Sequence, residues 1–124
     1  MSVDSGLVNW VVEALVPLGR VTSRAMMGGA TLYLDGTVFA IVAGDALWLK
    51  ADRETDARWD AEGCGRFTYE AGGKTGTMNY RRAPDATYDD ADALTEWAKL
   101  AVEAGARVPP RKPRRAIVVT SART

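Results

Sequence analysis

Asp35-Gly36 stands between two strand-like runs, Ala30 to Leu34 and Thr37 to Val42. A two-residue type I′ turn needs positive φ at both central positions, and Asp-Gly tolerates that better than most pairs. The pair commits the centre of the chain to an antiparallel hairpin, and so to a sheet. A turn of this kind sets Tyr33 opposite Val38 and Leu32 opposite Phe39. Leu32, Leu34, Phe39 and Ile41 then share one core-facing side.

Further strand-like runs lie on either side. Val21 to Met27 precedes Gly28-Gly29, and Ala46 to Ala51 follows Ala43-Gly44-Asp45. A three-residue loop at Ala43-Gly44-Asp45 sends Leu47 and Leu49 to the core and leaves Trp48 and Lys50 opposite, where the ammonium reaches water. Phe67 to Ala71 and Lys74 to Arg82 form a second hairpin around Gly72-Gly73, with Met78 and Tyr80 on one face. Pro84 ends that pairing because it has no amide proton to give.

Three segments carry helical spacing. From Val3 to Leu18 an apolar stripe runs through Leu7, Val11, Ala14 and Leu15, with Ser2 or Asp4 as the N-cap and a stop near Pro17 to Gly19. Asp52 to Glu62 is a short polar helix anchored by Trp59 and ended by Gly63. Asp89 to Arg107 places Leu94, Trp97, Ala98, Ala101 and Val102 on one stripe. Asp89, Asp90 and Asp92 complement the helix dipole at its start, and Gly105 and Arg107 suit its end. These elements predict an α+β domain over residues 1–108. It has an antiparallel sheet of five to six strands, an N-terminal helix, a short middle helix and a long C-terminal helix.

Charge separates that domain from the C-terminal residues. The 124 residues hold sixteen Lys and Arg and sixteen Asp and Glu. Residues 109–124 form a basic, Pro- and Arg-rich tail that opens with PPRKPRR, extended and polyproline-like, and continues into a short β-type run, Ala116 to Val119. The tail has five basic residues and no acid, so residues 1–108 have eleven bases against sixteen acids: +5 against −5. Arg111, Lys112, Arg114 and Arg115 are candidate contacts for nucleic-acid phosphates, weakened by the acidic body, or for an acidic protein surface.

The chemistry open to the chain is narrow. It has no histidine, the usual base near neutral pH and the commonest zinc ligand. Cys64 is its only cysteine, so no internal disulfide forms. A reducing cytoplasm is the expected setting, with no membrane span. Met26-Met27-Gly28-Gly29 precedes a strand rather than a helix, which fits a turn or bulge with Met26 or Met27 in the core rather than a phosphate loop. Asp85, Asp89, Asp90 and Asp92 lack the glycine and closing glutamate of a calcium loop. Cys64 has Arg66 nearby to lower its pKa but no base to activate it. Ser23 lacks a nucleophile elbow. Glu62, Glu70, Lys50 and Lys74 show no spacing that pairs them. No catalytic residue, metal ligand or cofactor is assigned, and no enzyme is expected.

Tyr33, Val38, Ala40, Val42 and Trp48 fall on the face opposite the core in this register. If both long helices cover the core face, the second face is too apolar for open water and forms a subunit interface or groove. Tyr33, Val38, Val42 and Trp48 are the interface candidates. The alternative is that the helices divide between the two faces.

Taken in order, several motifs resemble the N-terminal domain of the TfoX/Sxy family of bacterial competence regulators. They are Arg24-Ala25-Met26-Met27-Gly28-Gly29, Leu32-Tyr33-Leu34-Asp35-Gly36, Phe39-Ala40, Asp45 and Leu47-Trp48-Leu49-Lys50, followed by Phe67 and Tyr69, Met78-Asn79-Tyr80, Pro84 and the Leu94, Trp97, Ala98 helix. The resemblance covers about residues 7 to 106. It implies an α+β domain with an antiparallel sheet, and regulation of DNA-uptake genes through protein contacts rather than catalysis. The expected function is a noncatalytic regulatory or protein-interaction module, homodimeric through its sheet. Two alternatives stand beside it: a weak nucleic-acid binder using the tail, and a small-molecule-binding protein or enzyme with a deep pocket.

Overall fold

The computed structural model describes residues 5–26 and 28–108. The N-cap candidates Ser2 and Asp4, Met27, and the tail with Arg111, Lys112, Arg114 and Arg115 lie outside the described residues. The elements, in order, are α1 (Ser5–Ala14), β1 (Val21–Met26), β2 (Gly29–Leu34), β3 (Thr37–Ala43), β4 (Ala46–Lys50), α2 (Asp56–Ala61), β5 (Arg66–Ala71), β6 (Lys74–Arg82) and α3 (Ala91–Ala106), with a 3₁₀ turn at Asp85–Tyr88. The six strands form one open antiparallel sheet in the order β1-β2-β3-β4-β6-β5.

The central hairpin turns as its sequence demands, with φ of 49° at Asp35 and 86° at Gly36. Tyr33 pairs with Val38 and Leu34 with Thr37, but the register then shifts. Leu32 pairs with Ala40, not with Phe39, so Phe39 is the extra residue of a β-bulge. Phe39 still reaches the core. Beyond it β3 is rotated by one position: Ala40 and Val42 face the core, and Ile41, paired with Thr31 and Trp48, faces the other way.

Two expectations change with that bulge. Val42, an interface candidate, is fully buried in the core along with Ala40. The β3–β4 loop is also shorter than expected, because Ala43 pairs with Ala46 and only Gly44-Asp45 turns. The bulge reverses the alternation of β3 and the shorter loop reverses it again, so Leu47 and Leu49 reach the core as expected.

Elsewhere the differences are local. α1 stops at Ala14: Leu15 N still donates to Val11 O at 3.1 Å, but Leu18 N and Gly19 N both turn back to Leu15 O, at 2.8 and 3.0 Å. Pro17 has no amide hydrogen and disfavours helical geometry at Val16. Gly29 belongs to β2, opposite Met26, rather than to the turn. Met26 is 39% exposed, so it does not fill the core. α2 starts late because Asp52 Oδ1 accepts from Glu54 N and Thr55 N, each at 3.1 Å, and holds that segment as a turn.

α3 opens as expected, with Asp90 Oδ1 accepting from Asp92 N at 2.9 Å and Ala93 N at 3.2 Å. Its Gly105 does not end the helix, which continues to Ala106. Gly105 is where the α3 backbone lies directly on β3. A methyl group there would run into the Val38 carbonyl oxygen.

Leu7, Val11 and Leu15 from the first segment, Trp59 from α2 and Leu94, Ala98 and Ala101 from α3 enter one apolar cluster with Leu32, Ala40, Val42, Leu47 and Leu49. Those strand residues share a face by alternation and pairing. The three α-helices of the described residues therefore lie on one side of the sheet.

Candidate interaction surface

The other side of the sheet carries no helix among the described residues. Alternation and pairing place on it Tyr33 of β2, Val38 and Ile41 of β3, Trp48 and Lys50 of β4, Met78, Tyr80 and Arg82 of β6, and Phe67 and Tyr69 of β5. Of the four expected interface residues, Tyr33, Val38 and Trp48 are here, half-buried, and Val42 is not.

These side chains meet between adjacent strands and, for Trp48 of β4 and Phe67 of β5, across β6. Trp48 meets Phe67 edge-on, with ring centroids 5.2 Å apart and planes at 71°. Lys50 places its ammonium 4.8 Å from the Tyr80 ring centroid. Burial lowers the Lys50 pKa, and the Asp52 carboxylate partly offsets this. Burial likewise raises that of the Tyr80 phenol, with Tyr33 adding to it. Tyr69 and Met78 remain open, at 44% and 40% exposure. The Tyr69 ring covers Gly76, where any Cβ would collide with it.

Arg81 and Arg82, adjacent in a run that reads as one basic patch, are divided by the pleat. Arg81 faces the helices and is 1% exposed. Its guanidinium donates to Asp56 Oδ1 at 3.0 Å, Asp60 Oδ1 at 2.7 Å, Asn79 Oδ1 at 3.1 Å and the Cys64 carbonyl at 2.9 Å. It ties α2 to β6, buried and with four of its five N–H groups engaged. Arg82 is exposed on the open face, its guanidinium 5.8 Å from the Tyr88 ring centroid.

The helix side offers little chemistry. A depression of about 500 Å³ beside Cys64 is lined by Glu62, Arg82, Pro84 and Asp85. Burial, then Glu62, pushes the Cys64 thiol up against the weaker pull of Arg81. That is the reverse of what a nucleophilic thiolate needs. Arg66, expected to assist Cys64, turns instead to Asp56 at 3.4 Å. Among the described residues no three Cys, Asp or Glu side chains converge as metal ligands would, and no helix is long and apolar enough to cross a membrane.

The register alone could not reveal this face. Phe67, Tyr69, Met78 and Tyr80 join it because β6 inserts between β4 and β5, an order with no local sequence signal. The alternation that puts Met78 and Tyr80 on one face is legible; that this is also the face of Trp48 is not.

A single helix-backed antiparallel sheet with one face open defines the class, and family comparison gives it a name. Residues 13–105 match the TfoX N-terminal domain. The chain belongs to that family. It is 29% identical to Protein Sxy of Escherichia coli (strain K12) over 97 residues, 74% of this chain and 44% of that protein. It is 35% identical to the DNA transformation protein TfoX1 of Aliivibrio fischeri (strain ATCC 700601 / ES114) over 63 residues, 51% of this chain and 30% of that protein. The chain thus spans less than half the length of these curated relatives.

Proposed function

We propose that this chain is a noncatalytic regulatory module of the competence type, which acts by contact through the open face of its sheet. The observation that carries this is the one-sided placement of α1, α2 and α3. It leaves aromatic and aliphatic side chains from β2 to β5 without a covering layer among the described residues. Exposed apolar side chains gathered on one face mark a contact surface, and Met26, Tyr69 and Met78 are the large ones exposed here. Family membership and the name of the Aliivibrio fischeri relative support a role linked to DNA transformation.

Complementation tests this. Loss of the gene should lower DNA uptake in its host, and the wild-type chain should restore it. Tyr33→Glu places a carboxylate on the open face without touching the helix layer. A folded Tyr33→Glu chain should fail to restore uptake, whereas Lys99→Glu, on the exposed side of α3, should succeed. Full restoration by both would overturn the assignment of this face.

A further inference from the structure

The open face differs from the rest of the domain in charge. Residues 1–108 carry −5, yet the strand positions of this face hold Arg24, Lys50, Lys74 and Arg82 and no carboxylate. The sole acid within the described strands, Glu70, alternates to the helix side. Three aspartates approach from flanking turns. Asp45 and Asp85 lie near Arg82. Asp52 lies near Lys50, but its carboxylate is held by Arg107 at 2.6 and 3.0 Å.

Charge therefore selects the occupant. Two copies meeting through this face would oppose four cations to four, and the basic tail carries the same sign. An anionic partner fits. Shape narrows it further. From Arg82 to Lys74, β6 runs about 26 Å at ordinary strand rise, and between these two cations lie Phe67, Met78 and Tyr69. Tyr69 lies over a glycine with 44% of its surface open, so its ring offers a flat surface to a planar group. This stretch presents flat or pliable apolar groups with positive charge at both ends.

Resting on the reading of the open face as the contact surface, we infer that its occupant is single-stranded nucleic acid. Bases stack on Tyr69, Phe67 and Met78, while Arg82, Lys50, Lys74 and Arg24 meet the phosphates. Aromatic side chains on an antiparallel sheet suit unpaired bases, because every base presents a π-face and no groove is required.

Fluorescence anisotropy with labelled twelve-nucleotide DNA and RNA strands tests this, using the full chain with Arg111, Lys112, Arg114 and Arg115 changed to Gln to silence the tail. That chain should bind single strands more tightly than the same sequence as a duplex. The logarithm of its affinity should fall with the logarithm of salt at a slope of roughly −3 for four phosphate contacts. Tyr69→Ala should weaken binding about tenfold, and Arg24→Glu with Lys74→Glu should reduce the slope to roughly −1. Arg24, Tyr69 and Lys74 are exposed, and circular dichroism checks that each variant folds. Absence of binding, or binding unchanged by these substitutions, overturns the inference. If an acidic protein or a second copy proves to occupy the face instead, nucleic acid is excluded while the regulatory reading survives. If Tyr33→Glu also leaves DNA uptake intact, both fail.

Discussion

Arg81 and Asp56 form an ion pair at 3.0 Å in which the arginine side chain is 2% exposed and the aspartate 24%. Burying a guanidinium is costly unless its donors are used, and here Asp60, Asn79 and the Cys64 carbonyl take three more of its five N–H groups. Removing the cation takes a donor from the Cys64 carbonyl and leaves Asp56 with only Asn79 and Arg66, while Asp60, 67% exposed, turns to water. Arg81→Ala should cost about 3–5 kcal/mol in urea denaturation. Arg81→Met, which keeps the volume, should cost less.

Acid should weaken the fold through Asp52 and Asp56. The Arg107 guanidinium, bonded through two nitrogens, is the largest influence holding the Asp52 carboxyl below its ordinary value of 3.8. For Asp56, burial alone would raise the pKa, but the Asn79 amide and the Arg66 and Arg81 guanidiniums outweigh it and lower it. Both groups are more acidic folded than unfolded. Their contribution is therefore complete above the unfolded value of 3.8 and is lost as pH falls below it toward the folded values. Stability measured from pH 6 to 2 should show that acid limb, and Asp52→Asn should flatten it.

Gly105 fixes how closely α3 approaches the sheet. Gly105→Ala would improve helix propensity by about 1 kcal/mol at a neutral site. Here the added methyl meets the Val38 carbonyl, a backbone atom that cannot rotate away. The net effect should be destabilising by about 1–3 kcal/mol, read as a lower thermal midpoint. Unchanged or increased stability would show that α3 lifts freely.

Trp48 Nε1 is buried with no hydrogen-bond partner among the described residues. An unsatisfied N–H contributes nothing to the folded state, so its loss is harmless where shape is kept. Trp48→Phe should change stability by less than about 1 kcal/mol, with its contact to Phe67 repacked. A much larger loss would mean that the indole nitrogen does find an acceptor.

Local chemistry carried most of the fold. Asp35-Gly36, Gly72-Gly73, the buried Trp59 and the Asp90 cap act as their residue types predict, because turns, anchors and caps are decided within a few residues. The Phe39 bulge was not legible. Leu32 can face Phe39 or Ala40 across an unbroken alternation, and only packing against the helices selects between them. Misplacing that residue moved Val42 to the wrong face and Ile41 with it. Tyr33 and Val38 lie on the expected face because they pair between the turn and the bulge, and Trp48 does so because the bulge and the shorter loop cancel. Gly105 looked like a helix terminator, but its role is set by Val38, far away in the chain.

The extra residue at Phe39 also divides labour within one strand. It turns a large ring toward the helices and sets Ile41, two positions on, on the opposite face, where neighbouring side chains bury it. Side chains on the outer surface can thus be exchanged over evolutionary time while those beneath the helices stay as they are. Descendants of one stable scaffold can then acquire different binding preferences without refolding.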